Sequence, residues 1–330
     1  MTFFKKLRYL IEFALFYPLY LIVKNLPLCG LRFFATVVGW GMYQVPYFRK
    51  VVNENLAAAF PEKSKSEIKK LGMLNLSSLV MTALEFIWFS DSPERIEKHV
   101  RCCEDFLACI QRAREDKKGL IFVSPHLGNW ELAGLMVSHY SGLPFAVVAR
   151  TMNNPYLNNL VNSGRRFTST KVIPAKGAVK GMVKALKDGC IMATLVDQNT
   201  RARDGGVFVD FFGLPVPTAT VPAFFARKFN VPVCIGGCSR ENGYYTSFVR
   251  YLSKPTSEYA DDTEMTQELM KLTEELVRQH PEQYLWFYQR FRYIPKEAPE
   301  SLIKRYPAYA TVAPERFYRK DYSQSRSSQN

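Results

Sequence analysis

A histidine and a carboxylate stand five residues apart in the segment 124–131, which reads Ser-Pro-His-Leu-Gly-Asn-Trp-Glu. The segment follows an apolar run, residues 119–123, that is typical of a buried strand. A strand that ends at Pro-His and leads into a helix places His126 and Glu131 at the edge of a sheet. This layout suits a general base, His126, and a carboxylate, Glu131, that orients the imidazole and stabilises its protonated form.

The rest of the chain indicates what such a base would deprotonate. The start of a helix disfavours imidazolium, so we expect His126 to be neutral near pH 7. The chain has no Gly-x-Ser-x-Gly pattern of the kind that presents a serine nucleophile. His126 is therefore predicted to activate a hydroxyl of the substrate. The alternative is a histidine that caps the helix beside a surface glutamate.

The pattern from residue 119 onward predicts an α/β domain with a central mixed β-sheet flanked by helices, because strand-like and helix-like segments alternate. Three predicted strands end at His126, Arg150 and Asp197, and such ends meet at one edge of a sheet. We therefore expect these three side chains to lie near one another. The predicted organisation has four parts: a membrane-associated helical region 1–45, a helical lead-in 46–118, a catalytic α/β domain 119–300 and a C-terminal tail 301–330.

Other segments carry clear local signals. Residues 64–89 predict one long amphipathic helix capped by Ser64 or Ser66. Residues 93–100 are interpreted as a linker or strand. From residue 319 the chain is polar and is expected to be disordered.

The balance of charge indicates an acidic partner. The 330 residues carry a formal net charge of +14, which suits anionic lipid or an acidic protein. No motif typical of nucleic-acid binding is present, so nucleic acid is disfavoured. Seven cysteines, an odd number with no CxxC pair, favour a reducing compartment. His99, Cys102 and Cys103 lack a second pair of ligands, so neither a metal nor a cofactor is expected.

The first 45 residues are rich in Leu, Phe, Tyr and Val. Glu12, Pro18 and Lys24 interrupt the apolar stretch, whereas a membrane span needs about 20 nearly continuous apolar residues. We expect a helix or helix pair that lies on or dips into one bilayer face, with basic residues toward the headgroups. The alternative is a buried helix of the protein core.

The segment His-Leu-Gly-Asn-Trp-Glu, 126–131, resembles the signature of the bacterial lipid A biosynthesis (lauroyl/myristoyl) acyltransferases, which belong to the wider HX4D/E glycerolipid acyltransferases. Further blocks follow in the family's order, and the resemblance covers roughly residues 5 to 295. These blocks are Ala149–Pro155, Gly177, Leu186–Gly189, Asp197-Gln198, Val207–Gly213 and Thr218–Arg227.

The resemblance implies a glycerolipid acyltransferase-like fold and the transfer of a fatty acyl group to a hydroxyl of a membrane glycolipid. The implied donor is a thioester of acyl carrier protein or coenzyme A, and the implied acceptor is a lipid A precursor. The implied place is the bacterial inner membrane, with the catalytic domain cytoplasmic and attached peripherally or by one N-terminal anchor. Acidic carrier proteins and anionic inner-leaflet lipids would both suit the basic chain.

The same resemblance implies roles for further residues. Arg150, Arg165 or backbone N–H groups after His126 are candidates to bind the oxyanion or a phosphate, with Arg166 as a further phosphate candidate. Predicted substrate-binding residues are Asn129, Asn154, Asp197, Gln198, Phe211, Phe212 and Tyr288. Each of these roles has an alternative. Arg150 could form a salt bridge, and Asp197 could pair with Arg150 or have only a structural role at the strand end. Phe211 and Phe212 could belong to the core.

One departure from the family concerns the acceptor. Many family members have histidine where this chain has Tyr288. The acceptor is therefore either a lipid A precursor or another lipid, such as a mannosylated phosphoinositide, a lysophospholipid or an aminolipid. A third alternative is a lipid-binding relative without catalytic activity, which the presence of His126, Glu131, Arg150 and Asp197 disfavours.

Overall fold

The computed structural model describes residues 2–116, 119–166, 170–175 and 177–318, without the side chain of Arg166. The expected disordered tail from residue 319 and the phosphate role of Arg166 therefore lie outside the described residues. Within these ranges the helices are α1 Phe3–Asn25, α2 Leu28–Gln44, α3 Pro46–Ala59, α4 Lys65–Phe89, α5 Pro93–His99, α6 Glu104–Asp116, α7 Trp130–Ser141, α8 Pro155–Arg166, α9 Ala178–Lys187, α10 Val221–Phe229, α11 Asp262–Gln279 and α12 Glu300–Ile303. The strands are β1 Val100–Arg101, β2 Leu120–Ser124, β3 Phe145–Ala149, β4 Thr170–Pro174, β5 Ile191–Leu195, β6 Gly206–Phe211, β7 Leu214–Ala219, β8 Val233–Glu241, β9 Tyr244–Tyr251, β10 Tyr293–Ile294 and β11 Thr311–Val312.

The central sheet is mixed, which confirms the predicted α/β architecture. Seven strands lie in the order β1-β9-β8-β2-β5-β3-β4, and β8 with β9 forms the antiparallel pair among parallel neighbours. Strand β2 is fully buried, with Ile121 and Val123 facing one apolar cluster and Leu120 and Phe122 facing the other. The first cluster includes residues of α9, α10 and α11, and the second includes residues of α6 and α7. Helices therefore cover both faces of the sheet.

Register in the sheet centre determines which strand ends meet. Strands β2 and β5 are parallel neighbours, with Leu120 opposite Ile191 and Ser124 opposite Leu195. Strand β3 is parallel to β5 on its other side. Residues that follow β2 and β5 by equal numbers of positions therefore emerge side by side at the carboxyl edge.

Helix α4 begins where the sequence predicts. The Ser64 hydroxyl accepts a hydrogen bond from the Glu67 N–H, and the Glu67 carboxylate accepts one from the Ser64 N–H, which completes a capping box. Among the described helices, α4 is long and apolar enough to cross a membrane. Its polar residues are bonded inside the domain, however, since Asn75 donates to the Tyr284 carbonyl and Thr82 to the Gly128 carbonyl. Helix α4 is thus packed into the domain and supports the loop after β2.

The structure differs from the sequence prediction in two segments, one assigned wrongly and one not predicted. Residues 93–100 form helix α5 and the start of β1 instead of a linker or strand, since Pro93 occupies the first turn and fits helical geometry there. The antiparallel hairpin of β6 and β7 was not predicted as strands. Pro215 and Pro217 in β7 obscure the strand pattern, because proline cannot donate to a sheet ladder.

The predicted C-terminal tail is packed as far as the structure describes it. Strand β11 pairs with β10. Tyr306 and Phe317 are buried, and the Tyr306 hydroxyl donates to the Pro215 carbonyl. These contacts fix residues 300–318 to the β6–β7 hairpin and its neighbours.

The backbone at Gly128 provides a test of the loop that carries His126. Gly128 has φ +64°, and a Cβ atom built there would overlap the Cys238 carbonyl oxygen of β8. Gly128→Ala should therefore lower the free energy of unfolding by at least about 2 kcal/mol, measured by denaturant unfolding in detergent. The matched control is Gly134→Ala in α7, whose Cβ would meet the Phe145 ring at an ordinary 3.7 Å. Equal stabilities of the two variants would contradict the close approach.

Candidate active site

The ends of β2 and β5 bring His126 and Asp197 into direct contact. His126 lies two residues beyond β2 and Asp197 two residues beyond β5, so the register places them opposite each other. The Asp197 carboxylate accepts two hydrogen bonds from one residue: Oδ1 lies 2.6 Å from His126 Nδ1, and Oδ2 lies 2.8 Å from the His126 backbone nitrogen. Both residues are buried. Backbone and ring of His126 are thus fixed by one carboxylate.

Asp197 is an ionised partner for the imidazole. Burial alone would raise the pKa of Asp197, but the charge and hydrogen bonds of His126, with a further contribution from Arg290, hold that pKa below its ordinary value. The ordinary value is near 4, so Asp197 is a carboxylate throughout pH 5 to 8. An acceptor at Nδ1 favours the tautomer that carries its proton there. The side-chain nitrogen of Gln198 lies 3.3 Å from His126 Nε2, and in this tautomer Nε2 accepts from it.

Three backbone hydrogen bonds fix the loop that carries His126. The Leu285 N–H donates to the His126 carbonyl, the Gly128 N–H to the Gln283 carbonyl, and the Asn129 N–H to the Cys238 carbonyl. The N–H groups of Gly128 and Asn129 are therefore already used within the protein. This corrects the expectation that the backbone immediately after His126 provides oxyanion donors, at least for these two groups.

Asn129 is a structural residue in the structure and not a substrate contact as predicted. Its side chain is fully buried, accepts from the Leu132 N–H to cap α7, and donates to Glu85 at 2.8 Å. Glu85 is also bound by two nitrogens of Arg240 at 2.7 Å and by the Tyr245 hydroxyl. Burial lowers the pKa of Arg240, but Glu85 outweighs that effect and raises it. A buried ion pair thus fixes the N-terminus of α7.

Glu131 has a different partner from the one predicted. Its two carboxylate oxygens accept from Arg165 at 3.0 and 2.6 Å, a bidentate pair between α7 and α8. The expectation that Glu131 orients His126 is therefore wrong for this structure, since Asp197 accepts from the ring nitrogen instead. Two Arg165 nitrogens are bound to Glu131, so they are not available for an oxyanion or phosphate as predicted. Both side chains nevertheless line the cavity beside His126.

This main cavity is about 1170 Å³ in volume and lies between the sheet and helices α7 and α8. Its polar part contains His126, Glu131, Arg165 and Gln198, and the exposed Arg150 stands at its edge. Its apolar part is formed by Phe122, Leu135, Phe145, Val147, Val161 and Ala193. His126 therefore lines a cavity whose wall includes both charged or polar and apolar side chains. The three strand ends meet at one edge as predicted, although Arg150 forms no hydrogen bond or ion pair with His126 or Asp197 among the described residues.

The other predicted contacts lie elsewhere. Phe211 and Phe212 are buried and pack against Tyr284, Trp286 and Phe60, so they belong to the core and not to an acyl groove. The buried Asn154 accepts from the Tyr156 N–H and donates to the Tyr9 carbonyl and to Glu12, and so links α8 to α1 instead of a substrate. Tyr288 accepts from the Asn199 N–H at 2.9 Å and faces a second cavity.

Sequence reasoning missed that Asp197 is the partner of His126. His126 and Asp197 each lie two residues beyond the end of a strand, and this equal spacing was the available signal. It can be used only when β2 and β5 are known to be neighbours. It also missed Glu85 and Arg240. Neither belongs to a motif, and the two are 155 positions apart in the chain.

Comparison with known proteins decides the family. A family model described as bacterial lipid A biosynthesis acyltransferase matches residues 1–293. The chain belongs to this family. The lipid A biosynthesis lauroyltransferase of Escherichia coli (strain K12) is 28% identical over 262 residues, which cover 78% of this chain and 82% of that protein. The palmitoleoyltransferase of the same organism is 25% identical over 275 residues, covering 81% and 87%. The resemblance drawn from the sequence is confirmed, and this protein is an acyltransferase.

The Glu85–Arg240 pair gives a prediction about stability. Glu85→Gln would leave Arg240 without its carboxylate partner, and loss of one member of a buried pair costs about 3 kcal/mol. The free energy of unfolding should fall by that amount in denaturant titration. Glu300→Gln is the control, because Glu300 and its partner Lys304 are 82% and 72% exposed and such pairs contribute less than about 1 kcal/mol. Indistinguishable midpoints would contradict the structural role of the pair.

Proposed function

We propose that this acyltransferase moves a fatty acyl group from an acyl carrier protein thioester to a hydroxyl of a lipid A precursor. The observation that carries the proposal is the Asp197–His126 pair, whose imidazole lines a cavity that also has apolar walls. Family membership supports the acyl transfer, and the names of the two relatives support lipid A as the product class.

In the proposed reaction His126 Nε2 takes the proton of the acceptor hydroxyl, and Gln198 gives up its contact with that nitrogen. The hydroxyl oxygen attacks the thioester carbonyl carbon, and a C–O bond forms while the carbonyl oxygen becomes an oxyanion. When the intermediate collapses, the C–S bond breaks and the proton on His126 passes to the thiolate. Asp197 stabilises the imidazolium between these two proton transfers.

Arg150 is the proposed stabiliser of the oxyanion. A guanidinium is charged at any working pH and offers several N–H donors. Arg165 is less suited, because Glu131 already binds two of its nitrogens. We propose that the Glu131–Arg165 pair has a structural role in the cavity wall. It fixes α8 against the first turn of α7, next to the base.

The apolar part of the main cavity is the proposed site of the acyl chain. Phe122, Phe145 and Ala193 from the sheet and Leu135 from α7 present hydrocarbon surface there, and burial of each methylene contributes about 0.8 kcal/mol. The net charge of +14 supports an acidic carrier protein as the donor, since opposite charges raise the rate of encounter. Coenzyme A is the alternative donor.

Helices α1 and α2 are the proposed membrane contact, peripheral and on the cytoplasmic side of the inner membrane. Large apolar side chains are exposed along them, including Phe3 at 74%, Leu15 at 76% and Phe33 at 73%. Exposed apolar patches of this kind mark interaction surfaces. Lys5, Lys6 and Arg8 in α1 would meet anionic headgroups.

The catalytic pair is tested by two substitutions and one control. His126→Ala should reduce turnover at least about 10³-fold, and Asp197→Asn at least about 10²-fold, because the ring loses its orienting carboxylate. The measurement is transfer of labelled acyl groups from acyl carrier protein to purified lipid A precursor. Asp188→Asn is the control, since Asp188 forms a partly exposed pair with Lys171, and it should keep normal turnover. Normal turnover in either site variant would remove the base assignment.

The membrane contact is tested by polar substitutions that leave the buried face of α1 and α2 intact. The triple variant Leu15→Gln, Phe33→Gln, Trp40→Gln should shift the protein from the bilayer pellet to the supernatant in sedimentation with anionic vesicles, because it removes apolar surface that enters the interface. Leu107→Gln, at an exposed apolar position on α6, should sediment as the wild type does. Full sedimentation of the triple variant would place the anchor elsewhere.

A further inference from the structure

A second cavity, here called the arginine cavity, lies next to the main one and has a volume of about 680 Å³. Three arginines line it: Arg201, Arg292 and Arg316. Tyr47, Phe287 and Tyr288 add aromatic surface, and no Asp or Glu is among the described residues that line it. The catalytic mechanism proposed above uses none of these residues.

The positive charge of this cavity is only partly balanced. Arg201 pairs with Asp204 at 2.8 Å. Arg292 donates to the Gln289 side-chain oxygen at 3.0 Å, a neutral acceptor. Within the described part of the chain, neither Arg292 nor Arg316 has a carboxylate at ion-pair distance. Two guanidinium groups at a concave surface without carboxylate partners favour an anionic ligand, and guanidinium geometry matches phosphate.

The arginine cavity and the site around His126 share one lining residue and are linked by residues that are adjacent in the chain. Arg201 lines both cavities. Gln198 contacts His126, and the next residue, Asn199, lines the arginine cavity. On the other side, Leu285 lines the arginine cavity while its N–H donates to the His126 carbonyl. A molecule seated there would have its remaining parts within reach of the base.

Aromatic residues connect the arginine cavity to the exposed apolar surface. Tyr47 on α3 is 60% exposed and meets Phe287 edge to face, with ring centroids 6.0 Å apart. The neighbouring Val45, which precedes α3, and Trp40 on α2 are also exposed. Burial raises the pKa of Tyr288, so its hydroxyl keeps its proton; it accepts from Asn199 and still has that proton to donate. A cavity that combines positive charge, a hydroxyl and aromatic surface fits an amphipathic ligand.

We propose that the arginine cavity binds a phosphate on the sugar headgroup of the acceptor lipid and so presents its hydroxyl to His126. This inference rests on the proposed function. Phosphate is also present in the prosthetic arm of the carrier-bound donor, so phosphate affinity alone does not identify the ligand. The aromatic connection to the exposed apolar surface favours the acceptor, whose other acyl chains remain in the bilayer.

The test uses the double variant Arg292→Gln, Arg316→Gln in the full-length protein, with Arg112→Gln on α6 as a control that lines neither cavity. Two quantities are measured. One is equilibrium binding of purified lipid A precursor in detergent micelles, with its phosphates and after phosphatase treatment. The other is the KM for acceptor and for acyl carrier protein thioester. We expect at least tenfold weaker binding and a tenfold higher acceptor KM in the double variant, an unchanged donor KM, and no difference between proteins for the dephosphorylated lipid.

The other outcomes separate this inference from the proposed function. A raised donor KM with a normal acceptor KM would assign the cavity to the donor's phosphate and overturn the proposal. Unchanged binding and unchanged KM values would also overturn it, while the acyl transfer itself would stand. Phosphate-dependent binding by a wild-type protein that transfers no acyl group would support the cavity and contradict the proposed function.

Discussion

The active-site geometry depends on one buried carboxylate that satisfies both of its oxygens on a single residue. Asp197 binds the ring and the backbone nitrogen of His126 at 2.6 and 2.8 Å. A buried carboxylate without such partners would be costly, so the two strand ends are fixed relative to each other. The orientation of the ring and its tautomer follow from that contact, and the ring lines the main cavity.

Buried polar groups of the surrounding structure form hydrogen bonds with the loop that carries His126. Helix α4 supplies Thr82 to the Gly128 carbonyl and Glu85 to Asn129, and residues 283–285 supply two backbone contacts. Buried polar networks of this kind specify one arrangement when every member is satisfied. An apolar helix that resembles a membrane span by composition therefore contributes the polar contacts that determine the position of His126.

The sequence was sufficient for the alternating strands and helices of the central sheet from residue 119 and for the meeting of three strand ends at one edge, but not for the β6–β7 hairpin. It was insufficient for the partner of His126. Glu131 is close to His126 in the chain, whereas Asp197 is 71 positions away and becomes a neighbour only because β5 lies beside β2. Asn129 and Asn154 were read as substrate contacts for a similar reason: an asparagine that caps a helix and one that meets a ligand look alike until burial is known. The arginine cavity combines residues from α3, the segment after β5 and the C-terminal region, which no local pattern joins.

The central claim is that Asp197 holds His126 with its proton on Nδ1, so that the Nε2 lone pair can act as the base when Gln198 gives up its contact with it. Nitrogen-15 NMR of protein labelled at its four histidines tests this directly, with His126 assigned from the spectrum of His126→Gln. For the neutral ring, the structure predicts a protonated Nδ1 and an unprotonated Nε2. A neutral ring with its proton on Nε2 would contradict the account, since that nitrogen then has no lone pair with which to accept a hydroxyl proton.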